Sequence, residues 1–115
     1  MTTTIYGIKN CDTMKKARAW LAEHGVAAEF HDYKVAGVDA ARLAGWIDAV
    51  GWEKVLNRAG TTFRKLPDAD KADLDAAKAS ALMLAQPSMI KRPVIEHPGG
   101  LLVGFAADRY THALL

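Results

Sequence analysis

Cysteine occurs once in this 115-residue sequence, as Cys11, so no disulfide can close within the chain and no internal pair of thiols can act as a switch. Histidine is sparse as well. His24, His31, His97 and His112 are scattered, and none stands at a ligand-like spacing from Cys11, so no metal site is expected. A large excess of either charge is missing too: fifteen Lys and Arg face thirteen Asp and Glu, a formal net charge of +2. That balance is too small to imply a general polyanion binder, and no basic stripe marks a direct nucleic-acid surface. No apolar run is long enough to span a bilayer and no apolar signal segment opens the sequence, so no membrane contact and a cytoplasmic location are expected. Repeats, low-complexity tracts and linkers are also absent. The length and the 50% hydrophobic content then suit a single domain over residues 1–115.

What is present is organised around the lone thiol. Thr3 to Ile8 is rich in β-branched and aromatic residues and reads as a strand. From Thr13 the period changes: Met14, Ala17, Trp20 or Leu21, and His24 recur at helical spacing, with Lys15, Lys16, Arg18 and Glu23 between them, and Gly25 ends the pattern. Cys11 therefore falls in a strand-to-helix turn, where unpaired N–H groups and the positive end of the helix dipole favour a thiolate. Lys9, Lys15 and Lys16 add positive charge nearby. A free cysteine buried as a small hydrophobe is inert, so position is what raises Cys11 to a candidate nucleophile. Asn10 suits the left-handed backbone of a tight turn. Asp12 or Thr13 can cap the helix, although the negative charge of Asp12 opposes the dipole at the sulfur.

Downstream, Ala28 to Tyr33 reads as a second strand carrying Phe30 and Tyr33. Asp39 is the N-cap of a helix with Ala40, Leu43, Ala44, Ile47 and Val50 on its apolar face and Gly51 as its stop. Trp52 to Leu66 has no sustained period and reads as a loop or broken helical turn. Asp68, Asp70, Asp73 and Asp75 crowd the start of a helix or helix pair running to about Ala85, with Leu74, Ala77, Ala81 and Leu82 or Met83 as its apolar positions. Val94–His97 and Leu101–Gly104 flank Pro98-Gly99-Gly100 as a hairpin, and a terminal helix packs through Tyr110, Ala113 and Leu114. The order is βαβ, an inserted helical region, then ββα. That is an α/β, thioredoxin-like arrangement with a small mixed four-stranded sheet. The tryptophans Trp20 and Trp46 fall in helical patterns and read as packing residues, as does Trp52.

Three segments, Ile5-Tyr6-Gly7-Ile8-Lys9-Asn10-Cys11-Asp12-Thr13, Val55-Leu56-Asn57-Arg58 and Ile90-Lys91-Arg92-Pro93-Val94, together resemble the arsenate reductase-like (ArsC/Spx) family of the thioredoxin superfamily. Gly60-Thr61-Thr62-Phe63-Arg64-Lys65-Leu66 and Ser88 to Pro93 are similar to its YffB-like subgroup. The resemblance implies that Cys11 is the nucleophile, that Arg58 and Arg92 hold an anion, and that Pro93 is the cis-proline placed beside the active cysteine in such folds. A third arginine of the reductases, in the strand after the hairpin, has no match: that region reads Leu102-Val103-Gly104-Phe105, with Arg109 beyond it. The C-x-x-C pair of oxidant-sensing Spx regulators is replaced by Cys11-Asp12-Thr13-Met14, and a thioether forms no disulfide.

These readings lead to a one-cysteine thiol-disulfide oxidoreductase, with glutathione as co-substrate and no metal. Cys11 forms a mixed disulfide with glutathione, Arg58 and Arg92 meet its carboxylates, and Asn10, Asp12, Thr13 and Pro93 shape the site. One alternative is an arsenate or other oxyanion reductase coupled to glutathione and glutaredoxin. Another is a non-enzymatic Spx-like regulator that contacts RNA polymerase.

Overall fold

The computed structural model describes residues 3–9 and 11–115. In chain order the elements are β1 (Thr4–Gly7), α1 (Asp12–Glu23), β2 (Glu29–Asp32), α2 (Tyr33–Ala36), α3 (Ala40–Val50), α4 (Trp52–Val55), α5 (Thr61–Arg64), α6 (Asp68–Lys71), α7 (Ala76–Ala85), a 3-10 turn at Pro87–Met89, β3 (Val94–His97), β4 (Gly100–Val103) and α8 (Ala107–Leu114). They fall into two compact units, one of residues up to Ala36 together with Arg92–Leu115, the other Gly37–Lys91. Among the described residues no helix is long and apolar enough to cross a membrane.

The first unit is built on a four-stranded sheet in the order β2-β1-β3-β4. β1 runs parallel to β2 and antiparallel to β3, and β3 pairs antiparallel with β4. The parallel pair follows from the sequence, because α1 separates its strands and carries the chain back to start β2 in the same direction. Register places Ile5 beside Phe30 and Ile95, and Ile95 beside Leu102, one row across the sheet. Because side chains alternate along a strand, that row lies on one face. Ile5, Ile95 and Leu102 form a single core with Met14, Ala17, Trp20 and Leu21 of α1 and Tyr110 of α8. Each large side chain removed from water there contributes about 1.5–3 kcal/mol. The Tyr110 hydroxyl is not left unpaired in this core: it donates to the Gly104 carbonyl at 2.8 Å. Its ring meets Trp20 and Phe105 edge-on, with centroids 5.4 and 5.1 Å apart.

Several expected positions move. β2 is shorter than Ala28 to Tyr33, because the Asp32 carboxylate accepts from the Lys34 N–H at 2.9 Å and turns the chain into α2. His24 does not face the core. It stands at the C-cap of α1, where its ring Nδ1–H donates to the Trp20 carbonyl at 2.8 Å and its ring stacks on Trp20. On α8, Tyr110 is buried whereas Ala113 is exposed.

In the second unit, Asp39 caps α3 as its type suggests, accepting from the Arg42 N–H at 3.2 Å. The buried face of α3 is Leu43 and Trp46, with Ile47 and Val50 half-buried, while Ala40 and Ala44 are exposed. The indole outranks the small alanines for burial. The stretch after Gly51 is helical in two single turns, α4 and α5. The aspartate-rich segment divides into α6 and α7, because Asp75 caps α7 through the Lys78 N–H at 2.8 Å. The Lys78 ammonium reaches back to the carbonyls of Ala69 and Ala72, satisfying the end of α6. This break turns Ala79 and Met83 inward and leaves Ala77 and Ala81 exposed.

Candidate active site

Cys11 is itself the N-cap of α1, with extended backbone at φ −99° and ψ 134°. Its carbonyl accepts from the Lys15 N–H at 3.0 Å. The expected capping by Asp12 or Thr13 is therefore corrected: Asp12 is already the first helical residue and exposed, and Thr13, half-buried, is the second. An N-cap residue must keep non-helical dihedrals, and only Cys11 does so here. No side-chain bond of ordinary hydrogen-bond geometry closes the cap. The N–H groups of Thr13 and Met14 act on the sulfur electrostatically, favouring its negative form.

Arg92 completes the environment. Partial burial pushes the Cys11 thiol up, but the Met14 N–H, a hydrogen bond from the Arg92 guanidinium, the Thr13 N–H and the Arg92 charge outweigh it, leaving Cys11 below its ordinary value. Lys9, Lys15 and Lys16, expected to contribute, are exposed. The guanidinium also donates to the hydroxyl of Tyr33, a residue that the pattern of β2 presents only as a packing aromatic. Tyr33 is fully buried. Burial raises its phenol far above the ordinary range, against the lowering effect of Arg92, so the hydroxyl stays neutral. Its only advance signal is its place, directly after a strand and beside Asp32.

Pro93 follows Arg92 through a cis peptide bond and is buried. Its carbonyl accepts from the Gly104 N–H at 2.8 Å, which ties this loop to the end of β4. Met14, the residue that replaces a second cysteine, is fully buried. A Cβ on Gly7 would meet the sulfur and terminal methyl of the buried Met14 side chain, so a larger residue there requires that side chain to shift. Arg109, the nearest stand-in for a third arginine, donates to the Val103 carbonyl at 3.2 Å.

Cys11, Thr13, Arg92 and Pro93 thus lie in one unit, where Arg92 acts on the Cys11 sulfur. Arg58 belongs to the other unit, where it is exposed and its guanidinium lies 5.6 Å from the centre of the Trp52 ring. Asn10 lies outside the described residues. Among the described residues no cluster of three or more His, Cys, Asp or Glu could hold a metal ion. A half-buried sulfur whose negative form is favoured by nearby donors is suited to nucleophilic attack on an electrophilic sulfur or oxidised centre.

The model of the ArsC family matches residues 6–113. An uncharacterized protein of Haemophilus influenzae is 42% identical over 110 residues, covering 96% of each chain. The global transcriptional regulator Spx of Streptococcus agalactiae is 28% identical over 107 residues, 91% of this chain and 77% of Spx. Among solved structures, a YFFB protein aligns with a TM-score of 0.96 at 65% identity, over 99% of this chain and 100% of that one. An arsenate reductase (ArsC) related protein from Brucella melitensis aligns with a TM-score of 0.79 at 59% identity, over 100% and 97% of the two chains. The mixed sheet and its helices are accordingly those of a thioredoxin-like fold.

Proposed function

Since the chain belongs to the ArsC family, we propose that it is a thiol-disulfide oxidoreductase that works with one cysteine and takes glutathione as its co-substrate. The observation that carries this reading is the convergence of the Arg92 guanidinium and the first N–H groups of α1 on the Cys11 sulfur. In the first step the Cys11 thiolate attacks the disulfide of a glutathionylated protein, forming a Cys11–glutathione disulfide and releasing the substrate thiolate. In the second, a glutathione thiolate attacks the glutathione sulfur of that mixed disulfide, yielding glutathione disulfide and restoring the Cys11 thiolate. Each step exchanges one S–S bond for another, and the two electrons come from glutathione. The resolving thiol must come from outside, because the chain has one cysteine.

Arg92 serves twice in this scheme, favouring the thiolate at rest and offering N–H donors to the peptide and carboxylate groups of glutathione. Asp12 and Thr13 border the thiol at the helix start, and Pro93 borders Arg92.

The test is a coupled assay with glutathione, glutathione reductase and NADPH, offering a glutathionylated peptide or arsenate to the wild-type protein and to Cys11→Ser. Cys11-dependent NADPH consumption with the peptide supports thiol exchange. Consumption with arsenate alone, with glutaredoxin supplied, would move the assignment to oxyanion reduction. The likeness to Spx favours one further reading, an RNA polymerase contact; binding of polymerase that survives Cys11→Ser, without turnover in either assay, would support it.

A further inference from the structure

We propose that Tyr33 is a positioning residue of this site: its buried hydroxyl accepts a hydrogen bond from the Arg92 guanidinium and thereby holds that guanidinium against the Cys11 sulfur. The inference deepens the thiol-exchange reading and rests on it. Three observations carry it. Tyr33 is fully buried at the junction where Asp32 turns β2 into α2, so its ring is held by both the strand end and the helix start. Register brings the three residues to one end of the sheet: Asp32, just before Tyr33, pairs with Gly7 at the end of β1, and Val94, two residues after Arg92, pairs with Tyr6, so that Arg92 acts on both the Tyr33 hydroxyl and the Cys11 sulfur. The charged groups whose fields reach that oxygen are Arg92, Cys11 and Asp32.

The chemistry of the acceptor matters. An arginine beside a thiolate needs a second partner to fix its long side chain, and a carboxylate would supply one. A carboxylate would also cancel the positive charge that the thiolate uses. A buried phenol fixes the donor without neutralising it, since it accepts a hydrogen bond while remaining uncharged. The Asp32 carboxylate instead accepts from the Lys34 N–H at 2.9 Å.

The experiment is the pH dependence of Cys11 alkylation by iodoacetamide, measured for wild type, Tyr33→Phe, Arg92→Gln and the double variant, with folding checked by circular dichroism. Glutathione is absent, so failure here is separate from failure of the proposed activity. Tyr33→Phe should raise the midpoint of the rate profile and lower the rate at neutral pH roughly two- to tenfold, the range expected for loosening one hydrogen bond to a charged group. In the Arg92→Gln background the same substitution should change the midpoint little, because the effect passes through Arg92. An unchanged midpoint in folded Tyr33→Phe overturns the proposal, and so does an equal shift in both backgrounds. If Tyr33→Phe does not fold, nitrogen NMR of the wild-type Arg92 side chain decides: its N–H signals should be held in slow exchange and shift as Cys11 titrates. Freely exchanging signals indifferent to that titration also overturn it.

Discussion

Arg92, in the loop before β3, and Cys11, at the start of α1, lie at one end of the sheet, where the Arg92 guanidinium favours the negative form of the Cys11 sulfur. The two residues lie far apart in sequence, yet the pairing is short-range chemistry. β3 pairs directly with β1, so the residue before β3 and the residue after β1 emerge at the same end of the sheet.

Arg92→Gln keeps a hydrogen-bonding side chain but removes the charge. The Cys11 midpoint for alkylation should rise toward that of an ordinary thiol, and Arg92→Lys should fall between the two, since an ammonium restores charge without the planar fork. A rate-versus-pH series on the three proteins checks the order.

Stability should depend on pH through the same sulfur. The folded-state value of Cys11 lies below its ordinary 9.0. A depressed value contributes stability that is fully present above the unfolded value and is lost as pH falls through the folded value. The advantage of wild type over Cys11→Ser in urea denaturation should therefore grow through the pH window just below the ordinary thiol value and level off above it. An advantage that stays constant over that window would contradict the thiolate.

Gly7→Ala tests the packing beneath the site. The added methyl meets the sulfur and terminal methyl of the buried Met14 side chain, which must shift to make room. A loss of about 1–3 kcal/mol in urea denaturation is expected, as for other overpacked cores, together with slower Cys11 alkylation.

Tyr110→Phe removes the donor to the Gly104 carbonyl and should cost about 1–3 kcal/mol if that buried acceptor finds no other partner. Burial also raises the Tyr110 phenol above its ordinary 10.0. A raised value gives stability that is present below the unfolded value and is lost as pH rises toward the folded one. Wild type should weaken above about pH 10, and Tyr110→Phe should weaken less steeply there.

Much of this was legible in the residues themselves. The β-branched and aromatic content of Thr3 to Ile8, the helical period from Met14 and the Pro98-Gly99 turn are local signals, and they match the observed β1, α1 and hairpin. The place of Cys11 at a helix start was legible for the same reason. Its cap role was not, because Asp12 and Thr13 are the better cappers by type and only the backbone angles show which residue is still extended. Trp46 was legible as a packing residue and Met83 as one of two choices, but Ala40, Ala44, Ala77 and Ala81, placed on apolar faces, are exposed, because small alanines fit a helical face equally well until a packing partner chooses. Tyr33 was missed for a further reason: its hydroxyl meets Arg92, some sixty residues away, and no local pattern records such a pairing. The pairing of Arg92 with Cys11 was expected from family resemblance alone.

The most direct measurement is the intact mass of the protein after exposure to oxidised glutathione at neutral pH. A single glutathione should be added to wild type, removed by excess reduced glutathione, and absent from Cys11→Ser; Arg92→Gln should form it more slowly. Wild type that takes up no glutathione while Cys11 remains reduced would contradict the proposed mixed disulfide and the function built on it.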